Sequence, residues 1–356
     1  MKKVYTVIGL DIGSAMVSAV MANITPEGSL SIISHESVPS HGVARGAIVD
    51  LRAAVEPVHK VLQRIHDKIP HLRGEIVVSI SGESIKGEHS RGMVPLSMRG
   101  REVTRKDMEH CANAAGTIRL AFDREIIHKI VQNYSIDNQA PLKNPLGLYA
   151  SRLSCQIFVI TSSVNHIQNI YKCVNGAGYD AREVVFSGIA DGSGLLGQGD
   201  KDAGAMLVDM GASVTECSFY SDGALSDIEI IPLGALDVKG SLRSSAEAKV
   251  ICEKIKDGAD TFISRGGKIG VLALTGGLSY TEEAVEFLQE HVQFPVKMGA
   301  LRQITGDISS VESLRFATAL GLVRYAQEKY RQRLADEKHA MRRFSDKVID
   351  IFNNYF

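Results

Sequence analysis

Two stretches far apart in this chain follow one plan. Residues 4–14 read VYTVIGLDIGS and residues 205–216 read AMLVDMGASVTE. Each is an apolar strand that enters Asp-x-Gly and a turn of small residues, then leaves as a second strand, over 16–21 in one case and 217–220 in the other. The tip of such a hairpin presents main-chain N–H groups, and small side chains let an anion approach them. An aspartate beside the tip can hold a metal ion through water. A chain that carries the unit twice is constrained to fold as two related halves, and two such hairpins facing each other would grip a nucleoside triphosphate from both sides.

The rest of the sequence fits an α/β fold of two or three domains, the expected number for 356 residues. Strand patterns at 30–33, 75–80, 154–161, 227–231 and 271–274 alternate with helical spacing over 52–69, 104–115, 164–175, 245–256, 281–291 and 311–335. The two Asp-x-Gly meanders read as an internal duplication of a β-β-β-α unit. A net charge of −1 gives no nucleic-acid signal. Five widely spaced cysteines without a CxxC read as reduced core thiols in a reducing compartment, not as a disulfide frame or a zinc site. Asp11 interrupts the first apolar run too early for a signal peptide, and no segment reaches transmembrane length. These features predict a cytoplasmic protein whose membrane contact is peripheral.

A third glycine turn, Thr275-Gly276-Gly277, follows a buried apolar strand and precedes a helical pattern. Its glycine pair would let a flat base or a phosphate lie against the backbone, with helix N–H groups behind it. Any one of the three turns is more often an ordinary tight turn. All three, in this order, resemble the superfamily of actin, sugar kinases and heat-shock chaperone ATPases. That resemblance implies a first phosphate loop of Asp11, Gly13 and Ser14, and a second of Asp209, Gly211, Ser213 and Thr215. It implies an adenosine turn at Gly276 and Gly277, and Mg²⁺ held through water by Asp11 and Asp209. The Glu253-x-x-Lys256 spacing is similar to the superfamily pair that contacts ribose and adenine, with Glu247 as a competing acidic candidate. The plain alternative for Glu253 and Lys256 is a solvated helical ion pair.

Residues 84–160 narrow the resemblance. SRGMVP at 90–95, REVT at 101–104, DREIIH at 123–128 and KNPLG at 143–147 are similar to FtsA, the bacterial actin-like division family, in which a small inserted 1C subdomain replaces one actin subdomain. GVARGAIVD at 42–50 and FATALGL at 316–322 fit the same family. The implied layout is an actin-like domain I (1A) over 1–83 and 161–185, the 1C insert over 84–160, and domain II over 186–326. The implied partners are FtsZ, further copies of the chain and other division proteins through 1C. The polar cluster Asp123, Arg124, Glu125 and His128 reads as a structural turn and ion-pair network, not as acid–base machinery. The chain departs from the family in two places. Val214 offers no hydroxyl in the second loop, and only residues 257–270 stand where the family builds subdomain 2B, which covers the adenosine pocket and docks FtsZ.

The last segment is amphipathic. At about 100° per residue, Phe344, Val348, Ile351, Phe352, Tyr355 and Phe356 share one side of a helix, with Arg342, Arg343 and Lys347 on the other. An aromatic face with basic flanks suits a bilayer interface rich in anionic lipid. The preceding segment, 327–340, is highly charged and reads as a linker or solvated helix extension before a membrane-targeting helix over 341–356. The expectation is therefore an ATP-binding, division-linked membrane tether at the cytoplasmic face of the inner membrane. It would be at most a weak ATPase, because phosphoryl transfer needs a group that positions the attacking nucleophile and only Asp209 and Glu216 offer themselves. A PilM-like pilus-platform adaptor and a small-molecule kinase on the same fold are the alternatives.

Overall fold

A computed structural model describes residues 4–71, 73–277, 282–301, 305–306, 308 and 314–355, with side-chain surroundings through Asp336. The first Asp-x-Gly stretch forms the hairpin β1 (Tyr5–Ile12) and β2 (Met16–Ile24), continued by β3 (Leu30–Pro39). A two-strand clasp follows, β4 (Val43–Ala44) and β5 (Ala47–Ile48). Helix α1 (Leu51–Lys68) is capped by the Asp50 carboxylate, which accepts from the Ala53 N–H. Pro57 sits inside this helix, and Val58, Val61, Leu62 and Ile65 point into the core. Strand β6 (Glu75–Ile80) then lies parallel to β1.

The insert begins with β7 (Lys86–Pro95) and the short β8 (Arg101–Glu102). Helix α2 (Arg105–Ala115) opens on a capping box in which Thr104 and Asp107 satisfy each other's end groups. Strand β9 (Arg124–Ile136), the short β10 (Tyr149–Ala150) and β11 (Arg152–Ser163) complete it, with β11 paired antiparallel between β7 and β9. Their own small core includes Leu153, Cys155, Ile157 and Cys111. Sequence pattern alone missed β7 and β9, because one face of each is polar and the apolar alternation is broken by charges. Arg124, read as structural, donates to the Ser84 and Thr161 carbonyls, while His128 Nε2 accepts from the Phe186 N–H at 3.0 Å. These bonds fasten the insert to its parent domain.

The chain returns through α3 (Val164–Gly176) and β12 (Ala181–Phe186), the outer strand of a six-stranded sheet in the order β12-β6-β1-β2-β3-β18. Helix α4 (Ser187–Leu195) crosses into the second half, and α5 (Gln198–Ala203) leads to the second hairpin, β13 (Ala205–Met210) and β14 (Thr215–Ser221). Strand β15 (Ala224–Ile231), helix α6 (Ala246–Ser264), strand β16 (Val271–Thr275), helix α7 (Glu282–Gln289) and strand β17 (Val296–Met298) finish a five-stranded sheet, β15-β14-β13-β16-β17. Helix α6 runs two turns beyond the expected 245–256 and passes through Gly266 and Gly267 straight into β16. Residues 257–270 thus form a helix end and a turn, with no further layer between α6 and β16 among the described residues.

Strand β18 (Thr305–Gly306) adds to β3, and a single 3-10 turn, Leu314–Phe316, leads into α8 (Ala317–Tyr355). Residues 311–313 of the helix expected from sequence lie outside the described residues. Helix α8 packs on α4 and β1 through small residues: a Cβ on Gly321 would strike the Ala190 carbonyl, and one on Gly9 the Ala319 carbonyl. The charged stretch 327–340 is not a free linker. Gln327 and Arg331 both donate to the Gly28 carbonyl at 2.7 Å, Lys329 pairs with Glu183 at 2.6 Å, and the Tyr330 ring stacks on Tyr5. Charge density in the sequence hid this docking because Lys329 and Arg331 find their partners on a distant strand and a distant turn. Among the described residues no helix is long and apolar enough to cross a membrane.

Candidate functional site

The two hairpin tips meet across a cavity of about 530 Å³, within the range of small-molecule sites. Its walls include Asp11, Gly13 and Ser14 from the first tip, and Asp209, Gly211, Ser213 and Glu216 from the second. Gly276 and Gly277 line it from the end of β16, and Leu314, Arg315, Ala317 and Thr318 from the start of α8. The tips touch: the Ser213 hydroxyl donates to Ser14 Oγ at 2.7 Å and accepts from the Arg45 N–H at 2.9 Å. The β4–β5 clasp, with Arg45 at φ 49°, therefore closes one side of the cavity.

Three residues expected in the site stand elsewhere. Thr215 is buried, and its hydroxyl donates to the Leu233 carbonyl at 2.9 Å instead of facing the cavity. Alternation along β14 turns Thr215 and Glu216 to opposite faces, so only Glu216 reaches the cavity. Glu253 and Lys256 lie on the exposed side of α6, while Cys252 and Ile255 hold that helix to its sheet. Neither lines the cavity, and Glu247 is bonded to the Ser245 hydroxyl at 2.9 Å near the helix start. The terminal residues Phe344, Val348, Ile351, Phe352 and Tyr355 fall on helical backbone of α8, with side chains outside the described residues; Phe356 lies outside them altogether.

Sequence reading also missed several members. Ser79, on β6 beside β1, donates to Asp11 Oδ1 at 2.7 Å. Ser187 opens α4, and its hydroxyl donates to one Glu216 oxygen while the Gly82 N–H donates to the other at 3.0 Å. Asp191, on α4, is fully buried with no hydrogen-bond partner for either oxygen among the described residues. Lone serines and a lone aspartate in an apolar crossover carry no spacing signal, so only the packed fold reveals them.

The four acids crowd one region. Burial raises the Asp11 carboxyl, and the Ser79 hydroxyl offsets part of that rise. Burial and the neighbouring Asp11 push Asp209 up to about 7. Burial, then Asp209, push Glu216 up to about 8 despite its two donors. Asp191 is held well above the carboxylate range by burial and by Asp209. Such a cluster accepts cations or protons readily, since either relieves charge placed where water is scarce. Among the described residues no three acids, histidines or cysteines converge closely enough to chelate a metal directly.

Comparison with known proteins follows the same lines. Residues 82–161 match the family model described as the SHS2 domain inserted in FTSA. The chain is 26% identical to the cell division protein FtsA of Pseudomonas aeruginosa over 380 residues, covering 91% of this chain and 89% of that protein. It is 27% identical to FtsA of Borreliella burgdorferi (90% of this chain, 91% of that protein) and 26% identical to FtsA of Escherichia coli K12 (91% of each). Among solved structures, the PilM-PilN type IV pilus biogenesis complex aligns with TM-score 0.65 at 15% identity, over 90% of this chain and 98% of that one. The ethanolamine utilization protein EutJ of Carboxydothermus hydrogenoformans aligns with TM-score 0.50 at 14% identity, over 89% and 88%. These structural likenesses concern the fold, which is actin-like with an SHS2 insert. Insert and flanking halves point the same way: the chain is similar to the cell division protein FtsA over about nine tenths of its length.

Proposed function

We propose that this protein binds ATP with Mg²⁺ between its halves and serves as a peripheral tether of the division machinery at the cytoplasmic face of the inner membrane. The carrying observation is the pair of glycine-tipped hairpins facing each other across one cavity. The residues present fit the proposed ligand. Gly13 and Gly211 keep the tips bare, and a Cβ on Gly276 would run into the Asp209 carboxylate. The buried acids want a cation, and Asp11 and Asp209 stand on opposite walls to hold its water shell. When bound, Mg²⁺ would neutralise phosphate and carboxylate charge together.

The chain's own groups do the rest. The bare tips donate N–H groups to phosphate, while Gly276 and Gly277 leave a flat floor for the adenosine. The Ser14 and Ser213 hydroxyls, now bonded to each other at 2.7 Å, are the side-chain groups at the tips that would turn to phosphate oxygens. Glu216 has both oxygens engaged by Gly82 and Ser187, which holds it away from orienting a water. Slow hydrolysis is the consequence, and nucleotide acts chiefly by holding the two halves together.

Membrane attachment is assigned to the amphipathic segment 341–356, which continues α8 as helix through Tyr355. One short helix binds reversibly, and self-association through the halves and the insert multiplies the anchors. FtsZ docking rests on the family relationship alone. The segment that carries it in the family is reduced here to the α6–β16 turn, so FtsZ binding is expected to be weak. Calorimetry with ATP, with and without Mg²⁺, tests the cleft, and cosedimentation with anionic vesicles tests the tether. We expect Mg²⁺-dependent ATP binding, and loss of sedimentation on truncation before Met341. Absence of any nucleotide affinity would reduce the protein to a static adaptor, and unchanged sedimentation of the truncated chain would remove the tether.

A further inference from the structure

Helix α8 runs along the insert from its base to its far end. Near the base, the Tyr325 ring meets His128 of β9 edge-on at 6.2 Å. Further along α8, Asp336 pairs with Arg105, the first residue of α2, at 2.7 Å. The backbone continues as helix to Tyr355, so the amphipathic segment follows within the same helix soon after this contact with the far end of the insert.

That far end is one hydrogen-bonded unit. Strand β10 pairs with β8, the Val103 N–H donates to the Leu148 carbonyl, and the Leu96 N–H donates to the Ser151 carbonyl. On it Met98 is 102% exposed, Tyr149 71%, Leu148 48% and Leu146 40%. Arg99 and Lys106 are exposed beside them. Single exposed apolar residues are ordinary, but four on one small rim with cations alongside form a patch that calls for an occupant.

We infer that this end of the insert is a second membrane contact, pressing Met98, Leu148 and Tyr149 into the interface of an anionic bilayer. The inference rests on the reading that α8 ends in a membrane-binding segment. The patch lies at the end of the insert that α8 contacts through Asp336, shortly before that segment, and its apolar and cationic groups match the interfacial chemistry of anionic lipid. Two contacts on one body bind with avidity and fix how the cleft faces the membrane, which one reversible helix cannot do.

The chain has no tryptophan, so Tyr149→Trp places a sole indole reporter in the patch. With vesicles of equal parts phosphatidylglycerol and phosphatidylcholine, its emission should move to the blue and be quenched by brominated acyl chains. Phe122→Trp, at a residue 101% exposed just before β9 at the opposite end of the insert, should not respond. The double variant Met98→Ser/Leu148→Ser should weaken vesicle affinity about tenfold with the thermal melt unchanged. Should Tyr149→Trp not fold, Leu148→Trp replaces it. An unmoved indole on a chain that sediments with vesicles overturns the inference. So does an emission shift that follows protein concentration without lipid, which would mark a contact between copies. If truncation before Met341 abolishes sedimentation while the indole of the full chain never responds, this contact fails and the tether stands. If truncation changes nothing while the double variant loses binding, the tether fails and this contact stands.

Discussion

The two halves place their signature aspartates at the same register and surround them differently. Asp11 lies opposite Ser18 on β2, and Ser79 of the parallel β6 donates to it. Asp209 lies opposite Glu216 on β14 and beside Thr275 of the parallel β16. One aspartate is therefore flanked by two hydroxyls, and the other by a hydroxyl and a second carboxylate. The halves share a backbone plan, but the second places an extra carboxyl at its centre. The shared plan frames the cleft, and one cross-strand position decides how many ionisable groups meet there.

The largest expected effect breaks that asymmetry directly. Glu216→Gln keeps an oxygen to accept from Gly82 and removes the extra titrating group. Glu216 stands at about 8 in the folded protein, above its unfolded value of about 4.3. Its proton is retained on folding, so stability is highest below the unfolded value and falls as pH rises from there through the folded one. The loss amounts to roughly 3–5 kcal/mol for an isolated titration. Urea denaturation from pH 5 to 9 should show the wild type losing stability steeply and Glu216→Gln losing much less. Parallel slopes would mean that Glu216 is ionised at neutral pH and that the asymmetry has no thermodynamic weight.

Next comes the turn that gives the second half its floor. Gly276 has φ +88°, and a Cβ there would strike Asp209, whereas a Cβ on Gly277 would meet none of the described residues. Gly276→Ala should cost about 2–3 kcal/mol, through strain and displacement of a carboxylate. Gly277→Ala should stay within about 0.5 kcal/mol. Equal costs would show that the turn yields without disturbing Asp209. A third test asks whether both aspartates serve one ligand. Asp11→Asn and Asp209→Asn should each weaken Mg²⁺-dependent ATP binding by about tenfold, or 1.4 kcal/mol, in calorimetry. A loss confined to one half would make the cleft one-sided.

What was legible in the sequence follows from what repeats. Asp-x-Gly after an apolar strand is a local pattern, so both hairpins and their order with the Gly276–Gly277 turn could be read before any packing was known. Thr215 misled because strand alternation near a tip decides which face a hydroxyl takes, and its carbonyl partner, Leu233, is remote in sequence. Glu253 and Lys256 misled because helical spacing puts two groups on one face without saying which face meets the cleft. Ser79, Ser187 and Asp191 could not be read at all, since each acts through a neighbour brought by crossover helices or parallel strands. The docking of 327–336 was hidden in the same way, behind charges whose partners are Glu183 and the Gly28 carbonyl.

The smallest effect sharpens the comparison most, because it touches only the first half. Ser79 also accepts from the Ile12 N–H at 3.3 Å, so its hydroxyl ties the last residue of β1 to the Asp11 carboxylate. Ser79→Ala removes the donor that offsets the burial of Asp11, and the Asp11 carboxyl should rise further. A charge-assisted bond of this kind contributes about 1–2 kcal/mol, and stability at neutral pH should fall by about that much. The loss should shrink toward acid, because a protonated Asp11 no longer needs the donor. Thr275 occupies the matching place in the second half, and among the described residues its hydroxyl makes no hydrogen bond to Asp209. Thr275→Val should therefore leave the pH dependence unchanged. If the two substitutions gave the same pH profile, the hydroxyls would be equivalent, and the charge difference between the halves would come down to Glu216 alone.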